Sequence, residues 1–365
     1  MRLARDLHPV AWWIWAIGLA VAASCTTNPL LLLVLLGVTT LVVLTCRSDQ
    51  PWARSFRLYV WLGVVVLVVR ILFRVLLGGD VPGHVLFTLP SIPLPDWAAG
   101  ISLLGPFTRE ELLAATYEGM RLATLLVAVG AANALANPKR LMKSLPPALY
   151  EIGTAMTVAI SVVPQLADSA RRVRAAQQLR GGPEGRFRRI RGVRRLLVPV
   201  LEDSFDRSLA LAAGMDARGY GRSGELSARQ RRTTGWLIIA GLIGVCVGVY
   251  AFLDATAPRA LAGPMLVVGT LLALAGFATA GRRVQRTRYR PDRWRAPEVA
   301  VAVSGVAAGA GMWAVQRWEP LVAHPGVLAR PGLSLLAVAA VLVAVVPVWA
   351  APLPVTAQRR VEVAA

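Results

Sequence analysis

The sequence predicts an all-α polytopic membrane protein with two long amphipathic helices on its cytoplasmic side. Three observations carry that reading. Of 365 residues, 56% are hydrophobic, and the mean hydropathy is +0.56, more apolar surface than one soluble core can hide. The apolar residues run in long unbroken stretches rather than alternating. That pattern selects helices over a closed barrel, the two structures that satisfy their backbone groups in lipid. The formal net charge is +20, almost all of it arginine, and it collects between the apolar runs, as the positive-inside rule expects. A pI near 11.4 would also suit nucleic acid, but charge confined to loops between spans points to a lipid bilayer instead.

Taken in order, spans are expected at about 10–25, 30–46, 58–78 and 112–136. Arg2 and Arg5 ahead of a run ending at Cys25 have the layout of a signal peptide. A new run begins at Leu30, however, so a hairpin of two retained spans is the simpler reading. Gly79 to Phe107 is rich in Pro and Gly and reads as an external loop. Arg47, Arg54 and Arg57 mark one side as cytoplasmic, and Lys139, Arg140 and Lys143 mark the same side after the fourth span.

Ala148 to Val163 is apolar too, bracketed by Pro146, Pro147 and Pro164 and containing Glu151. If it crossed, the arginines from Arg171 to Arg232 would face outward, against the charge rule. It is therefore predicted as a helix that stays on the cytoplasmic side. The parity also closes if a crossing lies within 79–107.

From Gln165 to Arg232 the character changes. A first helix carries Leu166, Ala170, Val173, Ala176 and Leu179 on one stripe, with Asp168, Arg171, Arg172 and Arg174 off it. A basic connector with Arg186, Arg188, Arg189, Arg191, Arg194 and Arg195 follows. A second helix places Leu197, Val200, Leu201, Ser204, Ser208, Leu211 and Met215 on one face and Glu202, Asp203, Asp206 and Arg207 on the other. Each ends on an arginine followed by glycine: Leu179-Arg180-Gly181 and Ala217-Arg218-Gly219. Glycine accepts the left-handed conformation just past a helix end, and arginine there complements the negative end of the helix dipole.

Spans at about 235–254, 260–280, 297–316 and 333–352 complete the chain, with seven arginines from Arg282 to Arg295 between the second and third. Both termini are then expected in the cytoplasm. By character the chain divides at 1–145, 146–232 and 233–365.

Enzyme chemistry is poorly supplied. Neither Lys139 nor Lys143 follows glycine, so the chain has no phosphate-cradling Gly-Lys loop. His8, His84 and His324 form no triad or ligand spacing, and Cys25, Cys46 and Cys246 are too dispersed for a zinc or disulfide framework. No metal or other cofactor is expected. The paired carboxylates Glu110-Glu111 and Glu202-Asp203 read as solvated helix surface, because adjacent residues on a helix do not face one another. Charges inside spans are more informative: Arg70, Arg74, Glu118 and Arg121 must pair or line an interior, and Glu118 with Arg70 or Arg74 is the expected pair.

On Leu7-His8-Pro9, Asn28-Pro29-Leu30, the segment from Asn137-Pro138 to Leu145-Pro146, Ala176-Gln177-Gln178-Leu179-Arg180-Gly181 and Asp216-Ala217-Arg218-Gly219-Tyr220, the chain resembles the transmembrane T component of energy-coupling factor (ECF) transporters, the family that includes CbiQ. The resemblance runs from Leu7 to about Tyr250. It implies a multi-pass protein of a prokaryotic cell membrane whose two crossing helices dock their Arg-Gly ends in two ATPase subunits. A separate small membrane protein, the S component, would bind the vitamin or metal ion to be imported. It implies that Arg180, Gly181, Ala217, Arg218 and Gly219 form the ATPase-coupling ends and that the chain is not itself an enzyme. Leu179 stands where the family has alanine, and the spans beyond about Ala260 extend past the usual family length. Two other readings stay open: a membrane enzyme using His84, Asp96, Arg109, Glu110 and Glu111 in the external loop, or a permease acting alone.

Overall fold

The computed structural model describes residues 6–48, 51–77, 83–90, 92–93, 102–144, 149–179, 188–219, 228–254, 258–283 and 293–352. Among the described residues the chain is all-α apart from short strands between its third and fourth helices. Its contacts divide it into two compact units, Met1–Leu141 with Asp292–Ala365, and Met142–Pro291.

The first unit begins with α1 (Pro9–Ser24) and α2 (Pro29–Cys46). Both start the same way. His8 and Asn28 are extended N-caps whose side chains accept from Val10 N–H and Leu30 N–H, and a proline follows at the first helical position, where its missing N–H costs nothing. Asn137 repeats the device before α5 (Pro138–Lys143), accepting from Lys139 N–H at 3.0 Å. The His-Pro and two Asn-Pro pairs in the sequence are therefore helix starts. A short 3₁₀ turn (Pro51–Arg54) leads into α3 (Ser55–Leu77), which packs antiparallel to α4 (Arg109–Leu135). Gly63, Gly119 and Gly130 let Ala123, Leu67 and Tyr59 approach closely, and Asn133 Nδ2 donates to Tyr59 Oη at 2.8 Å.

The connection between α3 and α4 holds two antiparallel strand pairs: β1 (Val85–Thr88) with β4 (Pro106–Thr108), and β2 (Ile92–Pro93) with β3 (Ser102–Leu103). The Pro- and Gly-rich loop is thus a ribbon in part, with the Phe87 ring stacked on Phe107 at 5.1 Å.

The C-terminal helices are built into this unit. α10 (Ala296–Trp318) lies parallel to α1. A Cβ at Gly305 would overlap the backbone of Trp15, one at Gly18 would overlap Gly305, and one at Gly309 would stand 2.9 Å from Gly18 O. Small residues of this kind let two membrane helices touch backbone to backbone. At the far end Thr26 Oγ1 donates to Ala323 O at 2.7 Å, in α11 (Pro320–Ala323), and Asn28 Nδ2 donates to Val322 O and Gly332 O. The chain returns through α12 (Leu335–Leu342), a 3₁₀ turn (Val343–Val345) and α13 (Pro347–Ala350). Trp15 Nε1 donates to Ala344 O at 3.1 Å. The core of the unit, around Trp15, Leu19, Leu31, Leu35, Val301 and Met312, is fully buried. At the other end of α1, the His8 ring packs tilted against Trp294, centroids 5.4 Å apart, and Arg140 Nη1 donates to Asp6 O at 2.9 Å. The starts of α1, α5 and α10 therefore share one end of the unit.

The second unit contains α6 (Tyr150–Leu179), α7 (Arg188–Ala217), α8 (Ala228–Leu253) and α9 (Arg259–Arg283). α8 and α9 form an antiparallel pair with Gly241 against Ala273, Gly244 against Gly269 and Gly248 against Leu266. Pro164 does not end a helix, contrary to the sequence reading. The apolar stretch and the first arginine helix are one element: Gln165, Leu166 and Ala167 continue the turn past Pro164, and the helix absorbs the lost hydrogen bond.

Among the described residues, six helices are long and apolar enough to cross a membrane: α2, α3, α4, α8, α9 and α10. α1 and the α12–α13 stretch are shorter apolar helices. α6 does not meet that standard of length and composition.

Candidate functional site

The site the sequence points to is the pair α6 and α7. At the end of α7, Arg218 N–H donates to Met215 O at 3.1 Å and Gly219 N–H donates to Asp216 O at 2.9 Å. Gly219 has φ +74, the left-handed cap expected of it. Ala217, Arg218 and Gly219 are all exposed, so this arginine is presented on a terminated helix end. α6 ends at Leu179, 90% exposed. Arg180 and Gly181 lie outside the described residues.

The two helices pack on each other, and the contact is polar at its heart. Ser169 is only 3% exposed. Its Oγ donates to Asp203 Oδ2 at 2.6 Å. Arg207 Nε donates to Asp203 Oδ1 at 3.0 Å, and Arg172 Nη2 lies 3.7 Å from Oδ2. The Ser169 hydroxyl first, then the Arg207 guanidinium, hold the Asp203 carboxyl below the usual carboxylate range. The sequence reading put Asp203 and Arg172 on solvated faces. The structure turns Asp203 toward α6, because Val200, Asp203 and Ser204 together form the half-buried strip of α7. The signal that would have found it is position: Ser169 and Asp203 each sit one residue beside a predicted apolar stripe, next to Ala170 and Ser204.

Much of the apolar surface of α7 stays open. Val198, Leu201, Phe205 and Leu209 are each at least half exposed and recur at helical spacing.

The charges inside α3 and α4 also find places. Arg70 Nη2 donates to Glu118 Oε2, with both side chains about half exposed. Arg74 Nη2 stands 3.7 Å from Glu111 Oε1. The charge of Arg121 is felt at His324, in the loop after α11. Burial first, and the Arg121 charge second, push that imidazole's pKa down, and its Nδ1 is 3.2 Å from Thr27 Oγ1.

Glu110 and Glu111 are buried, not solvated. Glu110 Oε2 accepts from His84 N–H at 2.9 Å, and Glu111 closes a capping box with Thr108. Arg109 N–H donates to His84 O. The ribbon between α3 and α4 folds over these carboxylates, which is why helix periodicity alone misjudged them. Their recorded contacts tie that ribbon to the start of α4. Asp96 lies outside the described residues.

Comparison with known proteins now decides the family. The family described as cobalt transport protein, CbiQ, matches residues 1–228. The chain belongs to the CbiQ family. It is 29% identical over 260 residues to the energy-coupling factor transporter transmembrane protein EcfT of Streptococcus equi subsp. equi, covering 69% of this chain and 90% of that one. The protein of the same name from Streptococcus thermophilus is 37% identical over 86 residues, covering 23% and 32%. The one from Leuconostoc gelidum subsp. gasicomitatum is 29% identical over 194 residues, covering 49% and 66%. The CbiQ match ends where α8 begins, so α8 to α13 lie beyond it.

Proposed function

We propose that this CbiQ-family chain is the transmembrane coupling subunit of an ECF-type importer. It joins two ATP-binding subunits to a small S component that carries the vitamin or metal ion. The observation that carries the reading is the end of α7. Arg218 stands exposed at a helix terminus closed by a left-handed glycine, the form a guanidinium needs to enter a groove on a partner and make charge-assisted bonds to carboxylates or helix-end carbonyls. Arg180-Gly181 is assigned the same role at the end of α6 on sequence.

The mechanism follows from stiffness. ATP binding closes the two ATPases, their grooves move the arginine ends, and α6 and α7 carry that displacement as levers of ~1.5 Å per residue. The open ridge of Val198, Leu201, Phe205 and Leu209 on α7 fits the apolar underside of an S component, whose tilting moves the substrate.

This reading requires α6 and α7 to lie in the cytoplasm. The end-to-end contacts support that. His8 meets Trp294 and Asp6 meets Arg140, so an even number of crossings separates each pair. α1 to α4 supply four and α8 and α9 supply two, already an even total, so α6 could cross only together with the arginine-rich α7. The arginine density of the same end makes it the cytoplasmic one.

Arg218→Ala is expected to abolish recovery of the ATPases on the tagged chain while leaving the protein in the membrane. Loss of a buried charge-assisted contact costs about 2–5 kcal/mol at an interface, more than tenfold in affinity. Undiminished copurification of ATPases with this variant would overturn the assignment.

A further inference from the structure

We infer that Asp203 is a positioning residue for coupling: a pin that fixes where α6 and α7 meet and so fixes how far apart their ends at Leu179 and Ala217 stand. The inference rests on the coupling role proposed above.

The argument begins with what else holds the two helices. On α6 the predicted apolar stripe is only half buried at Leu166, Ala170 and Val173, and it is exposed at Ala176 and Leu179. On α7, Leu197, Leu201 and Leu211 are exposed. Apolar contact between partly uncovered faces is non-directional and specifies the register along the axes only weakly. The polar contact fixes it. One carboxylate receives the Ser169 hydroxyl on Oδ2 and Arg207 on Oδ1, with Arg172 within 3.7 Å. Ser169 and Arg172 come from α6, and Asp203 and Arg207 from α7. A hydrogen bond depends steeply on distance and angle, so this set can form at only one axial offset of the two helices.

A single exposed ion pair would hold little. Here the Ser169 side is buried, and two arginines, one from each helix, share the acceptor. The consequence is mechanical. From Ser169 to Leu179 is ~15 Å of helix axis, and from Asp203 to Ala217 ~21 Å, at 1.5 Å per residue. Both arms extend from the pinned point, so a slip there would be passed on undiminished to Leu179 and Ala217, the last residues of the two helices.

The test uses the full chain in lipid nanodiscs, in a background lacking Cys25, Cys46 and Cys246, with spin labels at Leu179→Cys and Asp216→Cys. Electron–electron dipolar spectroscopy then reads the distance between the two helix ends. The expected parent result is one narrow peak. Asp203→Ala should lose it, giving a broad distribution, and Asp203→Glu should restore most of it. Asp168→Ala, which removes a carboxylate paired with Arg171 on the same helix, should leave the peak in place. A narrow peak retained in Asp203→Ala would overturn the pin, as would an equal broadening by Asp168→Ala, which would trace the effect to surface charge in general. Copurification of ATPase subunits separates this idea from the coupling reading. The pin predicts that Asp203→Ala still retrieves them. If the parent chain retrieves none, the coupling role fails whatever the spin labels show.

Discussion

At φ +74, Gly219 lies in the left-handed region, where a side chain would crowd its own carbonyl. Gly219→Ala is expected to cost about 1–2 kcal/mol locally and to fray the last turn of α7. Hydrogen exchange should quicken at the amides of Met215 to Arg218 and stay unchanged in α6. The Ala-Arg-Gly spelling announced this position, because a C-cap is set by local backbone preference. Asp203 was not legible in that way. Whether a carboxylate meets solvent or a neighbouring helix depends on residues more than thirty positions distant, here Ser169 and Arg172. Its pH behaviour follows from the direction of its shift. Because the folded-state pKa is depressed, the stabilisation is present above the ordinary carboxylate range and is lost only as pH falls through the lowered folded value. Exchange protection around Ser169 and Asp203 should therefore hold from about pH 8 to about pH 5 and fall only in stronger acid. Loss of protection near neutrality would contradict the assigned cause.

Among the elements, the spans were readable because long apolar runs leave few alternatives. Six of the eight expected spans appear as helices long and apolar enough to cross, α2, α3, α4, α8, α9 and α10, while the stretches at α1 and α12–α13 form shorter apolar helices. What the sequence hid was punctuation: Pro164 was read as a stop, yet it lies inside a thirty-residue helix. An interior proline removes one backbone hydrogen bond and can kink a helix without ending it. Partner choice between helices was hidden too. That α10 selects α1 depends on Gly18, Gly305 and Gly309 facing each other, and a glycine inside an apolar run does not say which neighbour it faces. Gly305→Leu should force the two backbones apart. Overpacking of this kind costs about 1–3 kcal/mol, and occasionally more, and should lower the melting temperature of the detergent-solubilised protein. Gly37→Leu is the control, since a Cβ there meets nothing within 4 Å. Equal melting of the two variants would show that the α1–α10 contact is dispensable.

Across the whole molecule, the orientation deduced from arginine distribution can be read with an impermeant thiol reagent on intact cells. In the cysteine-free background, Asp216→Cys and Arg293→Cys should stay unlabelled until the cells are opened. Leu328→Cys, in the exposed loop after α11, should label from outside. Ready labelling of Asp216→Cys on intact cells would remove the coupling role together with the topology. The parallel seating of α10 on α1 also has a consequence in time. A ribosome adding about 5–20 residues per second delivers the first helix, which ends at Ser24, long before its final neighbour, which begins only at Ala296. For some tens of seconds the notch at Gly18 faces lipid or the insertion machinery. A nascent chain halted ahead of Ala296 would therefore display an unfilled face of α1 at Gly18.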